Sequence, residues 1–459
     1  MNIIKILNKK TLTIVTIISF SIVKHAYSVP NAGSLLNFEE EIKKVNILPV
    51  QVPDENELIN GVSGLNGEKI EVKGFQFDGQ TNGFTNEQLT NVIKDLIGKS
   101  LSFDDIQNAA KRIQNFYRNE GYFLAQAFIP EQEVKNGIVI IYISEGKLDS
   151  KEPFEIKNNN LRLKEGVPES YFIEGMKGKF TQEGLERSIL NFNEVPGVEG
   201  KVTLKPGKDS YSTSIIIEAK EGPLLTGNIV LDNYGNRYTG QDRVTGTLYV
   251  NNPSKAGDQI IYRKIYSTSR NFDLSSVSYN FPLGRKGLRL GLSINDLDYK
   301  IAKELKTEPM SKGDAQTFTI NGSYPMIRGV KRSLIISQDF SKKYFYNETT
   351  GAVSSDKEIE DSKTSLTIQH IDNFFNEGYS QLTIDQSFGV LDLSGLASDL
   401  SSDQASTGAK TDGNFSKTYV QIYRLQRIVD KLDLQIFGAL QLSNKNLDSS
   451  EKFTLGGVS

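Results

Sequence analysis

The chain of 459 residues contains no cysteine, no tryptophan and two histidines, His25 and His370. Without cysteine there is no disulfide scaffold, no thiolate metal site and no thiol nucleophile. His25 lies in a segment read below as a leader, so a histidine triad or multi-histidine metal site would rest on His370 alone. The chain also lacks an excess of charge: 53 Lys and Arg stand against 56 Asp and Glu, a net charge of −3. Nucleic-acid binders carry a strongly basic footprint, which this balance argues against. Hydrophobic residues reach 37%, short of the roughly 45–50% of ordinary globular chains, a count that includes Gly. An enzyme reading starts from little, and neither a cofactor nor a catalytic residue is expected.

What is present tilts toward β structure. The 39 Gly, 19 Tyr and 24 Phe suit strands that are apolar on one face and wet on the other. The N-terminus has the form of a secretory signal: Lys5, Lys9 and Lys10, then an apolar run from Thr11 to Val23, then Ala26-Tyr27-Ser28 with small residues placed for cleavage after Ser28. A spanning helix needs ~20 apolar residues, and no later run reaches that length, so a membrane role would have to use strands.

Residues 29–45 contain a short helical pattern (Ser34 to Lys44), and 46–67 form a linker punctuated by Pro49, Pro53, Gly61 and Gly64. A first α+β unit is expected over 68–147. Lys69 to Asp78 alternates as a strand, and Leu89, Val92, Ile93 and Leu96 recur at helical spacing. Ser102 with Asp105 opens a second helix as a capping-box variant, with Gly121 as its stop. Phe123 to Ile129 and Ile138 to Ser144 then pair as a hairpin around Asn136-Gly137. A second unit of the same order is expected over 148–222, its main helix capped by Thr181.

From residue 223 to 459 the helical period disappears and eleven alternating segments follow. In the cleanest, Leu288, Leu290, Leu292 and Ile294 alternate with Arg289, Gly291, Ser293 and Asn295. A soluble β-sandwich also alternates, but its strands fill a shared core. A membrane barrel needs ~9–11 residues per strand, apolar outward and polar inward, and these polar faces suit a wet lumen. Long polar connections are expected at Lys300–Asp314, Lys342–Lys363 and Asp392–Ser416, with tight turns at Gly284–Gly287 and Gln426–Lys431. Unequal rims of this kind favour the barrel.

The ordered residues also resemble a known family. Gly74-Phe75-Gln76-Phe77-Asp78-Gly79, Gly98-Lys99-Ser100-Leu101-Ser102 and Phe116 through Ala125 resemble a POTRA (polypeptide-transport-associated) domain. So do Ala127-Phe128-Ile129-Pro130-Glu131-Gln132 and the run from Gly137 to Leu148. Asn193 to Val198 resembles a second POTRA domain, and Leu231 to Gly235 with Asn251-Asn252-Pro253 a first barrel hairpin. The family is the TpsB, or haemolysin activation/secretion, transporters of two-partner secretion.

The resemblance implies α+β POTRA domains in the periplasm followed by an antiparallel transmembrane β-barrel in the outer membrane. It implies one secreted exoprotein client, bound unfolded and passed to the cell surface, with outer-membrane lipid and the barrel assembly machinery as further partners and no nucleic acid. Residues 29–45 would hold the lumen-plugging helix. A POTRA sheet edge can pair with an unfolded client; Phe123 to Pro130 is the candidate edge, with Pro130 limiting runaway pairing. The candidate client-binding residues are Phe116, Tyr117, Tyr122, Phe123, Ala125, Ala127, Phe128 and Pro130, with core packing as the alternative for the aromatics. Arg289 and Arg424 are read as lumenal, without a role. His370 is expected on a strand, and the acids of Asp356–Asp361 on a solvated loop rather than at a divalent-ion site.

The family's long lumenal loop would begin at Leu455, Gly456 and Gly457, and its Val-Arg-Gly-aromatic motif is not in this sequence. With an odd strand count and Ser459 in place of a terminal aromatic, the chain is expected to be a C-terminally truncated or partial sequence whose barrel is incomplete. An outer-membrane assembly factor and a soluble periplasmic binding protein stand as alternatives.

Overall fold

A computed structural model describes residues 12–17, 31–32 and 69–453, apart from 80, 82, 123, 158–160, 177–179, 210–211, 302–310 and 430. The expected linker, nearly all of the leader and plug segments, Phe123, and Leu455, Gly456 and Gly457 lie outside these residues.

Near the start of the chain lies β1 (Leu12–Ile17). The first unit comprises β2 (Ile70–Val72), β3 (Gly74–Gly79), α1 (Asn86–Ile93), β4 (Lys99–Leu101), α2 (Phe103–Asn119), β5 (Gln126–Phe128) and β6 (Ile138–Ser144). The capping box forms as its sequence dictates. Asp105 N–H donates to Ser102 Oγ at 3.2 Å, and Ser102 N–H returns a bond to the Asp105 carboxylate at 2.9 Å. That backbone bond, the largest of its causes, holds the Asp105 carboxyl below its ordinary value. The expected single strand Lys69–Asp78 is instead two. Lys73 N–H turns aside to Gly137 O at 2.7 Å, β2 pairs with β4, and β3 runs parallel to β6. Asn136 and Gly137 both have positive φ (57° and 75°), as a two-residue hairpin turn requires.

After β7 (Lys147–Leu148), the second unit is β8 (Phe154–Lys157), α3 (Val167–Gly175), α4 (Gln182–Phe192), β9 (Val198–Pro206) and β10 (Ser212–Glu221). Its pairing repeats that of the first. β3 lies parallel to β6 as β8 does to β10, and β5 and β9 lie antiparallel on the other side of those closing strands. The similar order of elements in sequence is therefore a repeat of topology.

Eleven strands follow: β11 (Leu225–Asp232), β12 (Arg243–Asn251), β13 (Gln259–Ser267), β14 (Phe272–Pro282), β15 (Arg289–Lys300), β16 (Ser311–Arg328), β17 (Arg332–Thr349), β18 (Ala352–Asp372), β19 (Gly378–Asp392), β20 (Gly413–Val429) and β21 (Leu432–Ser443), with α5 (Ala397–Gln404) between β19 and β20. Each pairs antiparallel with its chain neighbour, in the unbroken order β11 to β21. The two ends of this order are not joined to each other; β1 lies parallel along β21.

The alternating faces behave as a membrane wall. Leu292 and Ile294 are 42% and 57% exposed, which removes the sandwich reading. The long strands then change character along their length. On β15 the outward residues Leu290, Leu292 and Ile294 give way to Asp296, Asp298 and Lys300, while the inward residues Ser293 and Asn295 give way to Leu297 and Tyr299, both buried. On β16 Phe318 gives way outward to Gln316, Asp314 and Lys312, and on β18 Leu366 gives way to Glu360, Glu358 and Asp356. With 18, 18 and 21 residues, β16–β18 exceed the ~9–11 that cross a bilayer. Their upper parts stand in water on the outside and enclose apolar packing on the inside.

This inversion corrects one expectation. Lys342–Lys363 is not a long loop but the upper half of the β17–β18 hairpin, turning at Thr350-Gly351; above the lipid its outward side chains are charged, so it reads as polar. Arg424 is corrected too. It pairs with Ser380 on the outward face and binds Asp372 at 2.9 Å, whereas Arg289 is inward.

Candidate functional site: the client path from the first unit to the lumen

The first sheet runs β3–β6–β5, so β5 is one of its two edges. Ala127 N–H points away from β6 and donates to Gln114 Oε1 of α2 at 3.4 Å. Phe116, Ala127, Phe128 and Pro130 are half-buried along this edge, with Phe128 tilted against Tyr142 at 5.3 Å. Tyr117, Tyr122 and Ala125 are buried, 0%, 7% and 1% exposed. They belong to the core with Phe77, Leu89 and Ile113 and shape the edge from beneath. Burial pushes the Tyr117 phenol up from its ordinary value, and its hydroxyl has no hydrogen-bond partner among the described residues.

The second unit is fastened to the lower turns of the wall. From α4, Arg187 donates to the carbonyls of Pro325 (2.8 Å), Lys286 (3.1 Å) and Met326 (3.2 Å) and to Tyr324 Oη (3.1 Å). Glu194 pairs with Arg328, Val330 N–H donates to Glu186 at 3.3 Å, and Arg285 stacks over Tyr171 at 5.1 Å. Two turns, β14–β15 and β16–β17, are thus held by one module.

Inside the wall the segment after β21 folds back. Glu451, 2% exposed, lies 2.8 Å from Lys343 and 2.6 Å from Lys417, and Asp448 lies 2.8 Å from Lys357. Asn31 Nδ2 donates to Ser449 Oγ at 2.9 Å, and Ala32 N–H to Asn347 Oδ1 at 3.3 Å. Beside these pairs Ala32, Phe272, Leu297, Phe345, Leu391 and Leu447 form one apolar cluster. Sequence reasoning missed this ion-pair layer because Lys343 and Lys357 fell in the segment read as loop. Their inward parity, shared with Asp339, Asp361 and Lys363, was the available signal. Among the described residues no three acids or histidines gather as a metal site, and His370 lies on β18.

The haemolysin secretion/activation protein family ShlB/FhaC/HecB matches residues 211–459, more than half of the chain. The chain belongs to this family. A POTRA domain of ShlB type matches residues 70–146. The chain is 26% identical over 380 residues to the heme/hemopexin transporter protein HuxB of Haemophilus influenzae (strain 86-028NP), covering 81% of this chain and 65% of that protein. It is 21% identical over 322 residues to the outer membrane transporter CdiB of Escherichia coli O6:K15:H31, covering 68% and 53%. The chain thus spans just under two thirds of the HuxB relative. Among solved structures, CdiB from Escherichia coli superposes with TM-score 0.74 at 18% identity, over 94% of this chain and 80% of that one. CdiB from Acinetobacter baumannii superposes with TM-score 0.58 at 15% identity, over 92% and 77%. The family is a transporter family of the outer membrane with its POTRA modules in the periplasm, and the wall described above is the barrel part of that fold.

Proposed function

We propose that the protein recognises one unfolded exoprotein on its periplasmic modules and passes it through the wall's lumen to the cell surface. The observation that carries this reading is a wall with a lipid-facing apolar band and a polar interior, fastened below to a module that follows an open β-edge. The client adds a strand beside β5, where its backbone replaces the Gln114 amide at Ala127 and its side chains meet Phe116, Ala127, Phe128 and Pro130. Pro130 lacks an N–H and ends the pairing.

Residues 1–28 act as a cleaved leader, and the barrel assembly machinery inserts the wall. Residues 148–222 serve as a second POTRA domain and 29–45 as a lumen plug. Transit is driven by folding of the client outside, with no cofactor. The test is to delete the protein in the cell that makes it and follow its surface proteins. Loss of one secreted protein, with other outer-membrane proteins unchanged, supports export; a general fall in outer-membrane proteins favours an assembly factor instead.

A further inference from the structure

Four adjacent strands carry an uncharged strip on the lower inward face. The lateral rows run Thr367–Thr383–Gln421–Ala439, Gln369–Gln381–Tyr423–Phe437 and Ile371–Tyr379–Leu425–Gln435. None of these twelve residues is charged. The row directly above them, Ser365–Asp385–Tyr419–Gln441, brings the inward Asp385, and Lys363 and the Lys343–Glu451–Lys417 layer stand over that; below the strip lies the Arg427–Asp433 pair. On β13 and β15 the inward face instead carries Arg263 and Arg289. The polar groups of the strip bond to one another. Gln369 Nε2 donates to Gln381 Oε1 at 3.1 Å, Tyr379 Oη to the same oxygen at 3.0 Å, and Gln435 Nε2 to Tyr423 Oη at 2.7 Å. At its lower end the strip opens into a hollow between α4 and the wall, lined by Leu190, Arg328, Gly329, Gln369, Ile371 and Tyr379.

We infer that this strip on β18–β21 is the track along which an extended polypeptide backbone moves through the lumen. The inference rests on the export reading above. An extended chain offers one N–H and one C=O every ~3.3 Å, and each must stay hydrogen-bonded on the way. A glutamine carboxamide has the donors and acceptor of a peptide group, and a phenol both donates and accepts. Every amide here that lets go of a wall neighbour for a client peptide group exchanges like for like, so a step along the strip changes the bond count little. A charged lining would bind client side chains through charge-assisted bonds, about twice as strong as neutral ones, and would hold them. The strip therefore suits backbone of any sequence, and the hollow beside α4 joins it to the second module.

The test compares Gln381→Glu, Gln381→Lys and Gln381→Asn with Ser278→Glu on the inward face of β14, in the cell that makes the protein and its client. Released client is counted per assembled barrel, scored by heat-modifiable migration. Both charged variants at Gln381 are expected to slow release about tenfold; Gln381→Asn, which keeps the carboxamide, slows it less than either, and Ser278→Glu leaves it unchanged. Gln435→Glu repeats the test at a second position. A photo-reactive residue at 381 is expected to capture client in transit, and one at 278 is not. Wild-type release from the charged variants, equal slowing by Ser278→Glu, or capture at 278 alone overturns the track. Assembled wild-type barrels that release no client overturn the export reading itself, a result separate from these.

Discussion

Removing the Glu451 carboxylate tests the seating of the segment that follows β21. The Lys343 and Lys417 side chains are 12% and 17% exposed, and both face Glu451. In Glu451→Gln two nearly buried ammonium groups lose their shared anion, and Lys343 keeps Asp361 at 3.3 Å. Leaving a buried charge uncompensated costs about 3–5 kcal/mol. At ~1.4 kcal/mol per factor of ten, the seated segment loses between roughly a hundredfold and a few thousandfold in its equilibrium. The chain has no cysteine, so Ser450→Cys, at a position 5% exposed, is a unique reporter. A membrane-impermeant maleimide applied from outside should label it slowly while Glu451 is present. In the Glu451→Gln background labelling should be at least about a hundredfold faster if opening limits the reaction. Adding Lys343→Met and Lys417→Met should restore part of the protection, because no unpaired cation then remains. Equal labelling rates, at equal amounts of assembled barrel, would refute the reasoning.

Tyr117→Phe should stabilise the first unit by about 1 kcal/mol, read from a thermal melt, because it removes a buried hydroxyl left without a partner. It should leave export unchanged, since that hydroxyl reaches no client. In the second unit, Asp149 accepts from Asp209 N–H at 2.8 Å, Glu152 N–H at 2.7 Å and Ser212 Oγ at 2.7 Å; these bonds, that from Asp209 first, hold its carboxyl well below the usual range. Its contribution is then complete above the unfolded value near ~3.9 and disappears as pH falls through the folded value. Melts of residues 68–222 should drop below about pH 4, and Asp149→Asn should lower the melting point at pH 7 and flatten that drop. Ile294→Arg should destabilise the wall by about 2–4 kcal/mol, measured by urea unfolding in lipid vesicles, whereas Asp298→Arg, higher on the same face, should change it little. Arg187→Ala should loosen the second unit by about 2 kcal/mol, seen as a broader distance distribution between spin labels at residues 201 and 331.

The POTRA topology was legible where local chemistry is decisive. Ser102 and Asp105 cap a helix in any context, Asn136-Gly137 turns a hairpin, and Ile106, Ala109, Ala110 and Ile113 recur at helical spacing. The eleven strands were legible for the same reason, because a bilayer imposes strict alternation on whatever crosses it. Lys342–Lys363 was not, because the outward face of a strand reads apolar only while it faces lipid. Phe116 and Tyr117 looked equivalent in sequence. One turned out half-buried and the other buried, a distinction set by how α2 rolls onto the sheet.

From its own order of residues the chain determined a leader-like start, two repeated α+β units, eleven amphipathic strands and membership of a secretion family. Each follows from neighbours within a few positions or from period-two patterning. Tertiary structure alone decided the height at which the wall leaves the bilayer, the seating of Glu451 between Lys343 and Lys417, and the grip of Arg187 on the lower turns. Those contacts join residues 34 to 139 positions apart, and their strength depends on how much water the assembled wall excludes, which no local pattern encodes.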